Sequence, residues 1–189
     1  MKKLSILVCT LDSRKDFLDR LKTILDPQVS KNSELVELLI EQDSGAASIG
    51  RKRNNLLKRA QGEYVAFVDD DDIVSSDYVE RILGALEGEP DCVGIHLLHF
   101  NDNTLAGFTY HSLDYRSWFQ DKDTSTGMMR YYRNPNHLNP IRREHALKVL
   151  FPEISMGEDR EYSKNILQYL KTEKYIVEPI YYYLFRSKK

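Results

Sequence analysis

Three apolar runs alternate with three helical patterns in the first half of the sequence, and this alternation restricts the folds open to the chain. The apolar runs cover residues 4–11, 35–40 and 64–68. A strand that is covered on both faces is typically a continuous apolar run. Strands that alternate with helices form a mostly parallel sheet with helices on both faces. The sequence therefore predicts a three-layer α/β/α fold around a mostly parallel central sheet.

Each predicted helix carries a local start or stop signal. Ser13 is expected to cap the first helix, which should end before Pro27 because proline interrupts the backbone hydrogen bonds of a helix. Ser48 is expected to cap the second helix. Asp77 and Glu80 resemble a capping box for a third helix that runs to about residue 86. These signals favour three complete βα units.

The second half of the sequence is less regular. Residues 92–100 and 107–113 predict a β-hairpin around a turn-like polar segment. Helices are predicted from Pro140 to residue 150 and from about residue 159 to residue 170, and residues 181–185, four of them aromatic, predict a closing strand. The sequence shows no internal repeat, low-complexity tract or linker, so residues 1–189 are expected to form a single domain.

The charge composition excludes several classes of protein. The 27 Lys and Arg residues nearly balance the 29 Asp and Glu residues, which gives a net charge of −2 and a pI near 6.2. This balance argues against a protein that mainly coats nucleic acid or anionic membranes.

No apolar run approaches the roughly 18 residues that a membrane span needs. Cys9 and Cys92 both lie in apolar runs and favour buried thiols in a reducing, cytoplasmic environment.

Four consecutive aspartates, Asp69 to Asp72, follow the third apolar run directly. Their carboxylates repel one another, and no Lys or Arg occurs in residues 73–80 to neutralise them. A divalent cation with oxygen ligands, such as Mg²⁺ or Mn²⁺ bound to substrate phosphates, removes this repulsion. Ligands of parallel sheets bind beyond the carboxyl ends of the strands, where this run is placed. The alternative is a solvated acidic turn before a helix.

Two further segments carry charges at predicted helix starts. Residues 48–54 place three consecutive basic residues at the start of the second helix, where free amides and the helix dipole favour an anion such as a diphosphate. Residues 157–161 place Asp159 in the first turn of a later helix. Acidic residues are favoured there by the dipole whatever the function, and the functional alternative is a carboxylate that acts as general base.

Two side chains of the second half have more than one interpretation. His137 is a packed core histidine, a substrate contact or an additional metal ligand, and it has no partner at metal-ligand spacing. Trp118, next to Phe119, is either a stacking platform for an acceptor sugar or a loop aromatic that covers the core.

These motifs, in this order, resemble the inverting glycosyltransferase family 2. CTLDSR stands where that family commonly has PTYNR, QDSG where it has DDGS, and GEDREYS resembles its Glu-Asp motif. SIGRKRNNLLKRAQGEYVAFVDDDD is similar to its stretch from the donor-site helix to the Asp-x-Asp strand. The resemblance runs from Leu4 to about residue 170 and is closer to short stand-alone transferases of phages and bacteria than to large membrane synthases.

The resemblance implies a GT-A fold, a Rossmann-like three-layer α/β/α arrangement with a mostly parallel central sheet. It also implies a nucleotide-sugar half in about residues 1–100 and an acceptor half in about residues 101–189. Functional roles follow for residues that match the family motifs. Thr10 and Asp12 would line the nucleotide pocket, Asp43 would hold the uracil or ribose, Lys52 or Arg53 would face the base or diphosphate, Asp69 would face the ribose and metal, Asp71 would be the direct metal ligand, and Asp159 would be the catalytic base.

Two departures from the family pattern leave details open. Gln42 replaces the first acid of DDGS, which leaves the nucleotide preference less defined than the fold. Asp70 and Asp72 leave the register of the metal ligands ambiguous by one residue, so Asp70 belongs to the candidate donor-binding set as well.

The reaction that the resemblance implies is a direct displacement with inversion, dependent on Mn²⁺ or Mg²⁺. A nucleotide-sugar donor, expected to be a UDP-sugar, would give its sugar to a hydroxyl of a saccharide or another acceptor. The sequence does not predict which sugar, which acceptor or which oligomeric state.

Three alternatives stay open on the sequence alone. In the first, the chain is a non-catalytic sugar-binding or nucleotide-binding module, which the retained Asp71 and Asp159 disfavour. In the second, it is a sugar-1-phosphate nucleotidyltransferase, but the Gly-rich basic loop of that class should follow the first strand, where LDSRKD stands instead. In the third, it is a transferase whose acceptor is modified DNA, contacted by residues 51–53 or by residues 142 and 143, although these basic groups are short and the pI is acidic.

Overall fold

A ten-stranded sheet forms the centre of residues 2–185, the part of the chain that the computed structural model describes. The strands are β1 (Leu4–Leu11), β2 (Val36–Asp43), β3 (Tyr64–Phe67), β4 (Ile73–Val74), β5 (Cys92–Asn101), β6 (Thr104–His111), β7 (Phe119–Lys122), β8 (Met129–Arg133), β9 (Ile141–Arg142) and β10 (Glu173–Phe185). The helices are α1 (Lys15–Lys31), α2 (Ile49–Arg59), α3 (Tyr78–Ala85), α4 (Arg143–Ala146) and α5 (Glu158–Ile166).

The sheet runs in the order β2-β1-β3-β9-β5-β6-β8-β7, and β10 pairs with β5 and β4. The predicted parallel pairing of the first three strands is confirmed, with β1 between β2 and β3. Strand β10 is parallel to β5, and β8 is parallel to β6. Parallel pairing therefore joins most of the paired residues, whereas β9 and the β5-β6 hairpin add antiparallel pairs.

The core lies in two layers, one on each face of the sheet. Alternate residues of β1 point to opposite faces, so Leu4, Ile6 and Val8 belong to one cluster and Leu7 to the other. Helices α1 and α3 cover the first face, and α2, α4 and α5 cover the second. The predicted three-layer arrangement is therefore confirmed. No helix in the described residues is both long enough and apolar enough to span a membrane.

Helix α1 does not end before Pro27, as the sequence predicted, but continues through it. The last turn is held by tertiary contacts. The Gln28 side chain donates a hydrogen bond to the Ser75 carbonyl and accepts one from the Val79 amide, both at 3.0 Å. Leu25 is fully buried in the same region. Packing therefore offsets the local cost of proline inside the helix.

The capping predictions had different outcomes. Ser48 caps α2, since its Oγ accepts a hydrogen bond from the Arg51 amide at 3.3 Å. Ser13 does not cap α1, because a 3₁₀ turn at residues 12–14 precedes that helix. Asp77 precedes α3 but makes no capping bond, since its carboxylate instead accepts hydrogen bonds from Ser75 Oγ and Arg81 Nε.

In the second half, the predicted hairpin is confirmed as β5 and β6, and α5 begins directly after Gly157. Gly157 has a φ of 82°, which glycine adopts without steric cost. The helix predicted after Pro140 is reduced to the single turn of α4. Residues 141 and 142 are extended instead, because they pair with β3. Strand β10 is longer than predicted, since it starts at Glu173 rather than at residue 181.

Candidate active site

The carboxyl ends of β2, β1 and β3 meet at one edge of the sheet, as the parallel order requires. In the register of these strands, Leu11 lies beside Asp43, and Leu7 lies beside Phe67. The four aspartates that follow β3 therefore lie near Thr10 at the end of β1. The direct contact is a hydrogen bond of 2.6 Å from Thr10 Oγ1 to Asp70 Oδ2.

The fold divides the four aspartates into two inward and two more exposed side chains. Asp70 is buried and accepts hydrogen bonds from Thr10 and from Arg14 Nε at 3.0 Å. Asp72 is 1% exposed and accepts hydrogen bonds from Tyr181 Oη at 2.8 Å and from the Leu184 amide at 2.9 Å. Alternate carboxylates of the run are thus engaged inside the protein.

Asp69 and Asp71 are the more accessible pair, with side chains 35% and 42% exposed. One oxygen of Asp69 lies 3.1 Å from Arg53 Nη2, and the other lies 3.4 Å from His137 Nε2. Asp71 Oδ2 lies 2.7 Å from Arg14 Nη2, which also contacts Asp70. Arg14 and Arg53 therefore compensate part of the negative charge of the four aspartates, for which the neighbouring sequence contains no cation.

Burial and neighbouring charges shift the pKa values of this run in opposite directions. Burial alone would raise the pKa of Asp69, but His137 and Arg53 outweigh it and hold that pKa below its usual value. Burial raises the pKa of Asp70, against the hydrogen bond from Thr10 and the charge of Arg14. Burial, followed by the neighbouring charge of Asp69, raises the pKa of Asp72 well above its usual value. Asp69 therefore carries negative charge most readily among these three.

A cavity of about 390 Å³ opens at this edge, and it is termed the donor cavity below after the predicted donor-binding residues that line it. Six predicted site residues line it, namely Thr10, Lys52, Arg53, Asp69, Asp70 and Asp71. Arg14 lines it as well, although the sequence analysis gave that residue no role. Asp12 and Asp43 stand outside this lining, and Asp43 is joined to it by its hydrogen bond from Lys52. Asp12 accepts one from Gln42 Nε2 at 2.8 Å, so the residue that departs from the family pattern holds a predicted site residue.

Lys52 connects β1 and β2 beneath the donor cavity. It is 3% exposed, and its Nζ donates hydrogen bonds of 2.7 Å to the Thr10 carbonyl and to Asp43 Oδ1. The Lys52 hydrogen bond, assisted by the Ala47 amide, lowers the pKa of Asp43 to about 2. Asp43 is therefore an ionised, fixed hydrogen-bond acceptor at neutral pH.

Two amides at the start of α2, which the sequence analysis expected to be free for an anion, are already bonded within the protein. The Gly50 amide donates to the Ile154 carbonyl at 3.1 Å, and the Arg51 amide donates to Ser48 Oγ. Arg53 is also committed internally, since its Nη1 lies 2.6 Å from Glu158 Oε1. The sequence shows the basic residues of α2 but not the groups that bond to this helix, because Ile154 and Glu158 are about 100 positions further along the chain.

A second cavity of about 460 Å³ lies beside the first, and it is termed the acceptor cavity below because most of its lining comes from the predicted acceptor half. Asp159 lines it, together with His137, Trp118 and Arg133. Asp69 lines both cavities. The structure thus brings the predicted base and the predicted donor-site carboxylate to opposite parts of one continuous region. The sequence analysis gave Arg133 no role. The only signal in the sequence is that this basic residue follows two tyrosines at the end of β8.

His137 combines features of two interpretations. It is 5% exposed and packs its ring 6.2 Å from that of Phe67, as a core histidine does. It also contacts Asp69 and lines the acceptor cavity. Its Nδ1 has no hydrogen-bond partner among the described residues.

The donor set at the edge fits a hard divalent cation. Within residues 2–185, no three His, Cys, Asp or Glu side chains are grouped to hold a metal ion. Mg²⁺ is commonly bound by only one or two carboxylates together with substrate phosphates, and Mn²⁺ shares its preference for oxygen ligands. Asp69 and Asp71 provide two carboxylates in the donor cavity. A cation there would replace the charge that Arg14 now supplies to Asp71.

Comparisons with known proteins are consistent with this geometry. The model of the family described as "Glycosyl transferase family 2" matches residues 9–150. EpsH of Bacillus subtilis, assigned to the glycosyltransferases, is 24% identical over 197 aligned residues that cover 94% of this chain. The chain spans 56% of the length of that relative.

Two solved structures show the fold. TarS residues 1–349 of S. aureus, in complex with UDP-GlcNAc, has a TM-score of 0.70 at 16% identity and covers 99% of this chain and 60% of its own. GalNAc-T7 with UDP, GalNAc and Mn²⁺ has a TM-score of 0.57 at 15% identity and covers 100% of this chain and 45% of its own. The predicted GT-A fold is confirmed by the likeness to TarS.

Proposed function

The chain belongs to glycosyl transferase family 2, and from this premise we propose that it is a metal-dependent, inverting glycosyltransferase. It transfers a sugar from a nucleotide-sugar donor, in the first instance a UDP-sugar, to a hydroxyl of a saccharide or another acceptor. Residues 1–100 form most of the donor site, and residues 101–189 most of the acceptor site. A cytoplasmic location accords with the two buried, unpaired thiols of Cys9 and Cys92.

The shared position of Asp69 supports this proposal most directly. Asp69 lines the donor cavity and also the acceptor cavity, where Asp159 lies. A group transfer needs its donor and its nucleophile side by side, with a base near the nucleophile. Two adjoining cavities that share the Asp69 carboxylate meet this requirement, whereas a module that only binds a sugar needs a single cavity.

The proposed reaction is a single displacement. Asp159 takes the proton of the acceptor hydroxyl, and the oxygen forms a bond to the anomeric carbon of the donor sugar. The bond between that carbon and the phosphate oxygen breaks, and its electron pair leaves with the nucleoside diphosphate. The configuration at the anomeric carbon inverts because one displacement occurs.

Other residues of the chain bind and orient the donor. Thr10, Asp12 and Asp43 hold the nucleoside, and Lys52 keeps Asp43 ionised and in place. Arg53 orients Asp69 through its 3.1 Å contact. When bound, Mn²⁺ or Mg²⁺, held by Asp69 and Asp71, neutralises charge on the diphosphate. The inward contacts of Asp70 make it a positioning residue for this loop.

The binding part of the proposal is tested by thermal unfolding with UDP and Mn²⁺. A ligand that binds the folded state at about 100 times its Kd stabilises it by about 2.7 kcal/mol, which raises Tm by roughly 5–10 °C for a chain of this size. Asp71→Asn should lose the part of the shift that requires metal. Asp16→Asn, at an exposed site in α1, is the matched control and should keep it. Absence of a shift with every nucleoside diphosphate and divalent metal would refute the proposal.

The catalytic part is tested by UDP release from a panel of UDP-sugars. Asp159→Asn should bind UDP as the unchanged protein does but lose at least a hundredfold in turnover, since a positioned base typically contributes 10²–10⁴-fold. Unchanged turnover in Asp159→Asn would remove the assigned base. If the unchanged protein, Asp71→Asn and Asp159→Asn all release UDP no faster than a protein-free control, the non-catalytic alternative is favoured.

A further inference from the structure

Arg133, the last residue of β8, is held over aromatic rings at the wall of the acceptor cavity. Its guanidinium carbon lies 4.2 Å from the centroid of the Trp118 ring and 5.5 Å from that of Tyr131. Trp118 is itself anchored, because its Nε1 donates a hydrogen bond of 3.3 Å to Ser163 Oγ in α5. Stacking of this kind uses the faces of the guanidinium group and leaves its N–H edges for a hydrogen-bond acceptor.

Arg133 forms no salt bridge among the described residues, although it is half-buried and the charge of Asp159 acts on it. Two other arginines that line or border the two cavities are paired with acids. Arg14 contacts Asp70 and Asp71, and Arg53 contacts Asp69 and Glu158. An arginine does not lose its proton in a protein, so burial without a salt bridge leaves its positive charge only partly compensated.

The other groups of the acceptor cavity compensate this charge only in part: burial lowers the pKa of Arg133, and the negative charge of Asp159 opposes that shift without forming a salt bridge. Burial lowers the pKa of His99 to about 4 and that of His111 to about 3, so both are neutral at pH 7. Asp69 is engaged by Arg53 and His137. Asp159 lines the same cavity, and its Oδ1 accepts a hydrogen bond of 2.7 Å from the Arg160 amide.

Arg133 and Asp159 therefore face one cavity without forming an ion pair. A cation that bound Asp159 tightly would weaken it as a base, so a partner for Arg133 must come from elsewhere. The cavity also has aromatic surface in Trp118, Tyr131 and Tyr183, which suits a sugar ring. A molecule that carries both a hydroxyl and an anionic group could place the hydroxyl at Asp159 and the anionic group at Arg133.

We propose that the acceptor carries a phosphate or carboxylate group, which Arg133 binds while the acceptor hydroxyl lies at Asp159. This proposal rests on the proposed transferase function, since it assigns the substrate class of that site. Two oxygens of a carboxylate or a phosphate match the N–H edges of arginine with two parallel hydrogen bonds, and such charge-assisted bonds are about twice as strong as neutral ones. Arg133 is thus a specificity-determining residue of the acceptor cavity.

The test uses Trp118, the one tryptophan of the sequence, as a fluorescent probe of the cavity. The protein is titrated with glucose, glucose 6-phosphate and glucuronate at constant ionic strength, with UDP and Mn²⁺ saturating so that phosphate does not enter the donor cavity. We expect at least one anionic sugar to bind about tenfold more tightly than glucose. Tighter binding of glucose 6-phosphate would assign a phosphate, and tighter binding of glucuronate would assign a carboxylate.

Three variants separate Arg133 from general charge effects. Arg133→Gln should remove the preference for the anionic sugar and leave the binding of glucose unchanged, and Arg133→Lys should keep part of the preference. Arg130→Gln is the matched control on the same strand, where Arg130 is already paired with Asp121 and Asp123. It should keep the whole preference. Equal binding of all three sugars by the unchanged protein, or a preference that survives in Arg133→Gln, would overturn the proposal.

The same samples show which proposal fails. The UDP-dependent rise in Tm and the release of UDP are measured for every variant, and Arg133→Gln should keep the first. Normal UDP binding and turnover without a preference for anionic sugars would overturn the anionic acceptor alone. A preference that depends on Arg133, in a protein that neither binds UDP nor releases it from a UDP-sugar, would overturn the transferase assignment and the acceptor role together.

Discussion

Replacement of Arg53 by methionine should destabilise the protein far more than loss of a surface arginine. Arg53 is 4% exposed and joins two elements, since its Nη1 lies 2.6 Å from Glu158 Oε1 and its Nη2 lies 3.1 Å from Asp69 Oδ1. Its guanidinium carbon also lies 5.4 Å from the centroid of the Phe151 ring. Methionine keeps much of the apolar packing but removes the charge.

The expected loss in the free energy of unfolding follows from the two carboxylates that Arg53 would leave without their cation. Glu158 has a side chain 7% exposed and would keep a buried carboxylate without its cation. Removal of one partner of such a pair costs about 3–5 kcal/mol. Asp69 adds less, because it is about one-third exposed and keeps His137 as a neighbour. For a chain of this length, the loss corresponds to a fall in Tm of roughly 6–20 °C.

The assay is equilibrium unfolding in urea, followed by the fluorescence of Trp118. Arg59→Met is the matched control, because Arg59 pairs with Glu41 at 2.7 Å but is 53% exposed, and an exposed pair is worth about 0–1 kcal/mol. The double variant Arg53→Met with Glu158→Met should recover most of the lost stability, since apolar pairs often replace buried ion pairs at little cost. The reasoning fails if Arg53→Met costs no more than Arg59→Met, or if the double variant equals the sum of the single ones.

Two further predictions concern backbone packing and pH. Gly50→Ala should destabilise the protein by more than about 2 kcal/mol in urea unfolding, because an added Cβ would lie 1.8 Å from the Pro152 carbonyl oxygen. Gly84→Ala is the control in α3, where an added Cβ meets nothing within 4 Å, and it should stabilise by about 0.5–1 kcal/mol. Since burial lowers the pKa of His99 to about 4, its contribution to stability is fully present above its ordinary pKa of 6.5 and is lost as the pH falls from there towards 4. The unchanged protein should therefore lose up to about 2 kcal/mol more than His99→Gln between pH 7 and pH 5 in urea unfolding, and equal losses would contradict this account.

Features that depend on local sequence were predicted best. The parallel order of β1, β2 and β3 followed from the alternation of apolar runs and helices, and the cap at Ser48 followed from one hydroxyl at a helix start. The clustering of Thr10 with the aspartates followed from the rule that parallel strands end at one edge.

Features that depend on distant partners were not predictable from local patterns. The course of α1 through Pro27 is held by Gln28, which bonds residues about 50 positions away. The division of the four aspartates depends on Tyr181, more than 100 positions further along the chain. The unpaired charge of Arg133 is visible only when its surroundings are known, because the sequence shows a basic residue but not which acids lie out of reach.

The hydroxyl of Tyr181 limits how enzymes with this fold can be recombined. It donates a hydrogen bond to Asp72 at 2.8 Å and accepts one from the Asp69 amide at 3.1 Å, so the last strand of the chain fixes the loop that begins the acidic run. Under the proposed division into a donor half and an acceptor half, a chimera that exchanges residues 101–189 to obtain a new acceptor would also replace this support. Such a design would have to retain Tyr181 and its backbone position, or its donor site would change together with its acceptor site.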